Sequence, residues 1–243
     1  MTVAPTSVHP GREPHRALWA LVAVLGFVLG AMAVGLLYHF DAFGDARGST
    51  TTGSGVAATQ SRDVPAFDSV ELAGGNNVVI HVGGKQSVVV KADDNLLRRV
   101  TTKVQSGTLV IGNTPGSLMT KSPMSVVVTI PKVGELTLAG GGNVVVTGVR
   151  TESLTVTLSG SGNLTGSGTA GSLDVTLSGS GNAWFTGLVA DDVHALLSGS
   201  GNIFVTASKS LDASVPGSGT IVYAGNPREV TKSVTGSGVV TGG

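Results

Sequence analysis

The sequence predicts an all-β fold, a parallel β-helix or β-prism-like solenoid with coils of about 19–20 residues, preceded by one transmembrane α-helix. Three observations carry this prediction. A short glycine motif recurs at a nearly fixed spacing, apolar and polar residues alternate between its copies, and one long stretch near the N-terminus has no charge. A fixed short period is typical of solenoids, in which each coil buries its apolar face only by stacking on a neighbour.

The glycine motif has four close copies and two weaker ones in the second half of the chain. The first copy reads Leu-Ala-Gly-Gly-Gly-Asn and the next three read Leu-Ser-Gly-Ser-Gly-Asn. The last residues of the six copies are Asn143, Asn163, Asn182, Asn202, Thr220 and Val239. These positions advance by 20, 19, 20, 18 and 19 residues, so each motif indicates one coil.

Between the motifs, apolar residues alternate with polar ones. Leu154, Val156 and Leu158 alternate with Thr155 and Thr157, and the next three units repeat this pattern. Such alternation predicts a strand with one buried face, and the glycine and β-branched content excludes a helix. An antiparallel meander is the alternative to stacked parallel coils, because hairpins can also repeat.

The glycines of each motif are predicted to form the corners of the coil. Two glycines separated by one residue suggest backbone positions with φ > 0, which only glycine adopts without strain. The corner glycines are Gly160, Gly162, Gly179, Gly181, Gly199, Gly201, Gly217 and Gly219. An earlier copy, ending at Asn77, has Asn76 in a glycine position, and asparagine is the residue that next best tolerates φ > 0.

The asparagine that ends each motif has two structural interpretations. It can stack amide on amide in a ladder along the coils, or it can bond its own backbone as a turn residue. The turn role is the favoured one here.

One outward column of residues is a candidate contact surface. The residues one and three places after each motif are predicted to face the core: Val144, Val146, Ala183, Phe185, Ile203, Val205, Ile221 and Tyr223. The column two places after each motif then faces solvent: Val145, Thr165, Trp184, Phe204 and Val222. Its apolar members, Val145, Trp184, Phe204 and Val222, are termed the apolar stripe, and exposed apolar patches mark interaction sites. The alternatives are a reversed register, with Ala183 and Ile203 outside, and a C-terminal segment that covers the stripe.

The order of these motifs resembles a known bacterial family. Phe67-Asp-Ser-Val-Glu-Leu is followed by Asn77-Val-Val-Ile-His, then by Val126-Val-Val-Thr-Ile-Pro131 and by the Leu-Ser-Gly-Ser-Gly series. From Phe67 to about Gly242, the chain resembles the family described as "putative auto-transporter adhesin, head GIN domain". The resemblance implies a right-handed, three-faced β-helical domain displayed at the cell envelope. It implies no catalytic or binding residues.

The N-terminal quarter of the chain predicts a membrane anchor. Ala17 to Tyr38 are 22 residues without a charge, enough to span a bilayer as a helix, which we place at residues 17–40. Arg12 and Arg16 precede it, which puts residues 1–16 in the cytosol as a tail and predicts a single-pass protein of the bacterial cell membrane. A long signal peptide cut near residues 42–44 is the alternative. Residues 41–62 are predicted as a flexible Gly/Ser/Thr linker and 63–243 as the extracytoplasmic solenoid.

Composition excludes several functional classes. The chain has 15 basic and 15 acidic residues, which argues against a nucleic-acid partner. It has no cysteine, which removes disulfides and thiolate chemistry. His81 and His194 lie on different predicted strands, and the acidic pairs Asp93-Asp94 and 191–192 are predicted as solvated turns. No catalytic, cofactor-binding or metal site is predicted.

Two functional hypotheses follow. The first is a non-catalytic binding or adhesion module whose partner is an envelope protein or a polysaccharide. The second is a structural protein that self-associates by stacking solenoid ends. A polysaccharide-active enzyme is a distant third, because no acidic cluster marks one face.

Overall fold

A computed structural model of the protein describes residues 50–243. The predicted cytosolic tail and transmembrane helix, residues 1–16 and 17–40, lie outside this part of the chain. Within residues 50–243, no helix combines the length and apolar character needed to cross a bilayer.

The described part is almost entirely β-structure, with seventeen strands and one short 3-10 helix, Leu97–Arg99. The first nine strands are β1 (Thr51–Thr52), β2 (Ala57–Arg62), β3 (Ser69–Leu72), β4 (Asn77–Val82), β5 (Ser87–Asp93), β6 (Val100–Gln105), β7 (Thr108–Asn113), β8 (Leu118–Met119) and β9 (Ser125–Ile130). The others are β10 (Glu135–Leu138), β11 (Asn143–Leu158), β12 (Asn163–Leu177), β13 (Asn182–Leu197), β14 (Asn202–Val215), β15 (Thr220–Ala224), β16 (Glu229–Val234) and β17 (Val239–Gly242).

The strands form a β-solenoid of about five turns. From β10 to β17 every pairing is parallel, and motif lies against motif: Asn143 pairs with Asn163, Asn163 with Asn182, and Asn182 with Asn202. The parallel solenoid is therefore confirmed for the repeat, and the antiparallel meander is excluded. Strands β11 to β14 each run through most of a coil and bend at a bulge, such as the register shift between Val146 and Val149.

In the first half of the described chain, the order of the coils in space differs from their order in sequence. Strands β3 and β4 pair with β10 and β11 on one side. On the other side they pair in parallel with β7 and β9, which come later in the chain. The chain thus first forms the coil that contains β3 and β4, and β7 and β9 then stack on one side of this coil. The chain next returns to the opposite side, where the regular repeat begins at β10.

Antiparallel strands close this end of the solenoid. Strand β6 pairs with β7, β5 pairs with β9, and β2 pairs with β5. The predicted flexible linker, residues 41–62, is therefore wrong for its last part, because Ala57–Arg62 is strand β2. Composition alone could not reveal this, since the segment becomes a strand only because β5 offers it an edge. The Arg62 guanidinium anchors it further by donating to the Leu97 carbonyl at 2.6 Å.

The core consists of the inward-facing residues of successive coils. Val144, Leu164, Ala183 and Ile203 line up in register, and each is 3% exposed or less. In the next inward column, Gly166 precedes Phe185, and a Cβ on this glycine would collide with the phenyl ring. A missing side chain in one coil thus makes room for the largest fully buried side chain in the next.

The corner glycines lie in bends between strands, but the predicted φ > 0 is wrong for them. Within residues 50–243, positive φ occurs instead at glycines such as Gly148 and Gly168, which flank the bulges where the strands bend. The corner glycines are required for a different reason. A Cβ on Gly160, Gly179 or Gly199 would come far closer than 3.0 Å to the carbonyl oxygen of the equivalent glycine one coil earlier.

The close stacking of corners also explains why an asparagine is tolerated at position 76. The positive φ predicted for Asn76 is wrong as well. In the stack, the layer against Asn76 is β7 and not another glycine corner, which leaves space for a side chain. The Asn76 amide is buried there and donates to Asn113 Oδ1 at 3.1 Å.

Candidate binding face

One face of the solenoid is built from the residues that directly follow each corner. It comprises β4, β9, β15 and the first five residues of β11, β13 and β14, with the corresponding start of β12 between them. Side chains on a strand alternate between the two sides of the sheet, so three columns of each strand point outward here. None of these stretches contains Asp, Glu, Lys or Arg, and the face is therefore uncharged apart from His81.

The structure places the predicted apolar stripe on the outer side of this face. The exposed fractions of Val145 and Trp184 are 37% and 40%, whereas Ala183 and Ile203 are fully buried. The reversed register is thus excluded. Strand β17 does not cover the stripe either, because it continues the same sheet, with Thr241 beside Val222.

The stripe is longer than the sequence predicts. Val79 pairs with Val145 on one side and with Val127 on the other, and both extend the same outward column. The alternation of inward and outward residues after Asn77 is enough to predict that the Val79 side chain faces solvent. Its position next to Val145 could not be predicted, because residues 83–134 separate the two coils in sequence.

Trp184 and Phe204 form the most distinctive contact of the face. Their rings stack in parallel, with centroids 3.9 Å apart and an angle of 4° between the planes. The two residues are partners on adjacent strands, so the rings stand upright on the sheet and face each other. Phe204 covers one face of the indole, and the other face is directed toward Thr165, its neighbour on β12.

The asparagines at the motif ends form a ladder beside the stripe. From Asn143 onward, the side-chain amide of each asparagine donates to the Oδ1 atom of the asparagine one coil earlier in the stack, at 2.9–3.0 Å. The ladder runs through Asn77, Asn143, Asn163, Asn182 and Asn202. The favoured turn role is therefore wrong, and the ladder interpretation holds, because the corners bring equivalent residues into register.

On the other side of the stripe lies a column of hydroxyl groups with one histidine. His81 Nδ1 lies 3.0 Å from Thr147 Oγ1, on the next coil. The Thr206 hydroxyl, farther along the solenoid, donates to the Thr186 carbonyl at 3.1 Å. The apolar stripe is thus bordered on both sides by side chains that form hydrogen bonds.

The solvated turn that the sequence predicts for the acidic pairs holds for Asp94, which is exposed in a turn, but is wrong for Asp93, Asp191 and Asp192. Asp93 is fully buried and accepts hydrogen bonds from three backbone N–H groups and a hydroxyl. Asp191 and Asp192 lie in strand β13, where Asp191 pairs with Lys209 at 2.9 Å. Bonds from Lys209 and from the Ser208 hydroxyl hold the pKa of Asp191 below its usual value.

His194 points outward as predicted, on a different face of the solenoid. It pairs in register with Asp174 and Asp212 on the adjacent coils, and its Nδ1 atom lies 3.9 Å from Asp212 Oδ2. Across residues 50–243, no group of three or more His, Asp or Glu side chains is arranged to hold a metal ion.

The fold and this face define a β-solenoid domain with one outer surface that carries no Asp, Glu, Lys or Arg. The sequence matches the family described as "putative auto-transporter adhesin, head GIN domain" over residues 66–227, and the chain belongs to this family. The predicted resemblance is confirmed.

Solved structures share the fold at low sequence identity. A crystal structure named as a putative adhesin from Bacteroides fragilis has 24% identity and a TM-score of 0.68, with 79% of this chain and 99% of that chain covered. One named as a putative adhesin from Parabacteroides distasonis has 20% identity, a TM-score of 0.54 and coverages of 80% and 100%. A third, named as a putative lipid binding protein from the same species, has 22% identity, a TM-score of 0.51 and the same coverages. No curated protein matches this chain.

Proposed function

We propose that this chain is a membrane-anchored protein of the bacterial cell envelope whose β-solenoid is a non-catalytic binding or adhesion module. The observation that carries the proposal is the exposed apolar stripe on an uncharged face. Monomeric proteins rarely expose long contiguous apolar surfaces, and those that do use them as contact sites. The adhesin names of the family and of two solved relatives support a binding role.

The anchor in this proposal is the uncharged stretch at residues 17–40. It is long enough to span a bilayer, and Arg12 and Arg16 before it favour a cytosolic N-terminus. The domain would then stand on the outer side of the membrane.

The absence of cysteine allows a direct test of this orientation. A membrane-impermeant maleimide added to intact cells is expected to label Lys85→Cys, in an exposed turn of the domain, and to label Ser7→Cys only after lysis. Recovery of a shortened chain that begins near Asp45 would show a cleaved signal peptide instead.

Binding through the stripe is tested by replacing its aromatic pair. Detergent-solubilised full-length protein with Trp184→Ser and Phe204→Ser is expected to keep its cooperative melting transition and to lose co-sedimentation with cell envelopes from which detergent has removed the lipid bilayer, where the anchor has no membrane to enter. Leu196→Ser is the matched control, because Leu196 is 41% exposed on a different face. If the double variant unfolds, or binds as well as the control, the stripe is not the contact surface.

A further inference from the structure

The open face of Trp184 lies above a short side chain. Thr165 occupies the next position in the outward column and is itself exposed, and Val145 follows one coil further on. Adjacent strands lie about 4.8 Å apart, so roughly 9.6 Å separate the backbones of Val145 and Trp184. A notch over Thr165 therefore exposes one side of the indole ring, with Val145 as its opposite wall.

This notch has the width of one flat ring. Carbon atoms in contact lie about 3.5–4.0 Å apart, so a ring stacked on Trp184 also reaches the Val145 side chain. The π face of an indole carries partial negative charge and attracts the weakly positive C–H groups of a ring packed against it. The notch thus favours a ring with C–H groups on its face.

The edges of the notch supply hydrogen bonds without charge. Asn163 lies two residues before Thr165, donates to Asn143 and accepts from Asn182. A carboxamide has two N–H donors and two acceptor sites, so the Asn163 amide retains one donor and one acceptor for a ligand. The Thr165 hydroxyl adds a further group at the floor.

These observations select among ligand classes. A hydrocarbon chain would cover the ladder amides without satisfying them, which costs free energy. A charged ligand would find no Asp, Glu, Lys or Arg side chain of opposite charge on this face, and His81 lies in β4, one coil beyond Val145. A pyranose ring combines an apolar C–H face with hydroxyl groups around its edge and satisfies both requirements.

From this geometry we infer that the notch over Thr165, between Trp184 and Val145, is a subsite for one sugar ring of a neutral polysaccharide. The inference rests on the proposed binding function and names its ligand class. The ladder and the stripe run parallel to the solenoid axis, so an extended neutral glycan can continue along the same face.

The fluorescence of Trp184 provides the test. The chain has two tryptophans, and with Trp19→Phe the full-length protein reports on Trp184 alone. Dextran or mannan is expected to shift the Trp184 emission and to protect it from acrylamide quenching, whereas the anionic polysaccharide alginate is not. Thr165→Phe fills the notch and keeps the Trp184 side chain, but its new ring also shields the reporter, so binding by this variant is measured by equilibrium dialysis against labelled dextran and is expected to weaken at least about tenfold. Thr155→Phe, at an exposed position on another face, is the matched control.

The inference is overturned if neither dextran nor mannan affects Trp184, if alginate acts equally well, or if the Thr165→Phe variant binds like its control. Protection of Trp184 that rises with protein concentration alone would assign the stripe to contacts between copies, and would also overturn it. In each of these cases co-sedimentation with cell envelopes still reports independently on the proposed binding function.

Discussion

The two glycines of each corner are needed because coils stack backbone against backbone. The position that a Cβ would occupy on Gly181 is taken by the carbonyl oxygen of Gly162 and by a Leu158 methyl group. Neither can move easily, since the corner N–H groups of one coil bond to the carbonyls of the previous one, as Gly181 N–H does to Gly160 at 3.3 Å. The requirement is therefore for space and not for an unusual φ.

Gly181→Ala is expected to lower the free energy of unfolding by about 1–3 kcal/mol or more, because the added methyl group overpacks the corner. Ser180→Ala is the matched control, since Ser180 is exposed between the two glycines and its replacement should change little. Thermal or denaturant unfolding measures both. Equal, small effects at the two positions would contradict the close-packed corner.

A second residue-scale feature is the buried carboxylate of Asp93, which ties three segments together. Its Oδ1 atom accepts from the Gly55 N–H and the Ser122 hydroxyl, and its Oδ2 atom accepts from the N–H groups of Lys121 and Ser122. Burial raises the pKa of Asp93, but these hydrogen bonds outweigh it, so the pKa lies below its ordinary value.

Asp93→Asn is expected to lower the melting temperature by several degrees at pH 7, because one amide N–H group must then face backbone donors. The folded-state pKa is depressed, so the ionised carboxylate stabilises the fold above about pH 4 and this contribution fades as the pH falls through the folded-state pKa. The difference between the two proteins should therefore shrink in acid. Asp94→Asn, at an exposed neighbour, is the control, and a pH-independent difference would contradict the assignment.

At the scale of elements, the strands of the described C-terminal coil differ from those before them. Strand β16 pairs only with β14 within residues 50–243, and its residues are exposed. Lys232 occupies the inward column that holds Val175, Ala195 and Ala213 in earlier coils. Its ammonium group lies 4.8 Å from the centroid of the Tyr223 ring. An inward-pointing charge on an edge strand opposes pairing with another chain.

Lys232→Val is expected to increase self-association, because it leaves an edge strand whose three inward side chains, with Val230 and Val234, are all apolar. The hypothesis of a protein that assembles by stacking solenoid ends predicts no such effect, since Lys232 would then already lie in a contact. Sedimentation velocity over a range of concentrations measures the change. Lys85→Val, in an exposed turn, is the control, and equal sedimentation of the two variants would contradict the protective role.

At the scale of the whole molecule, the register of the coils turns separate residues into continuous surfaces. One corner per coil aligns the asparagines into a ladder and the stripe residues into a column. The candidate binding face is thus a property of the stack, and no single coil contains it. A shift of one residue in the coil of Trp184 or of Phe204 would bury that aromatic ring and expose a core residue.

The sequence by itself determined the repeat, the alternation and the outward position of Val145, Trp184, Phe204 and Val222, because strand periodicity and a fixed coil length are local properties. The tertiary structure alone decided that Val79 and Val127 extend the stripe, that residues 57–62 form a strand, and that Asp93 is buried. It also decided why the corner residues are glycines. These features depend on which coil lies next to which, and the chain crosses between coils out of sequence order. The neighbours of a residue across a sheet are set by such long-range pairing, which local pattern does not encode.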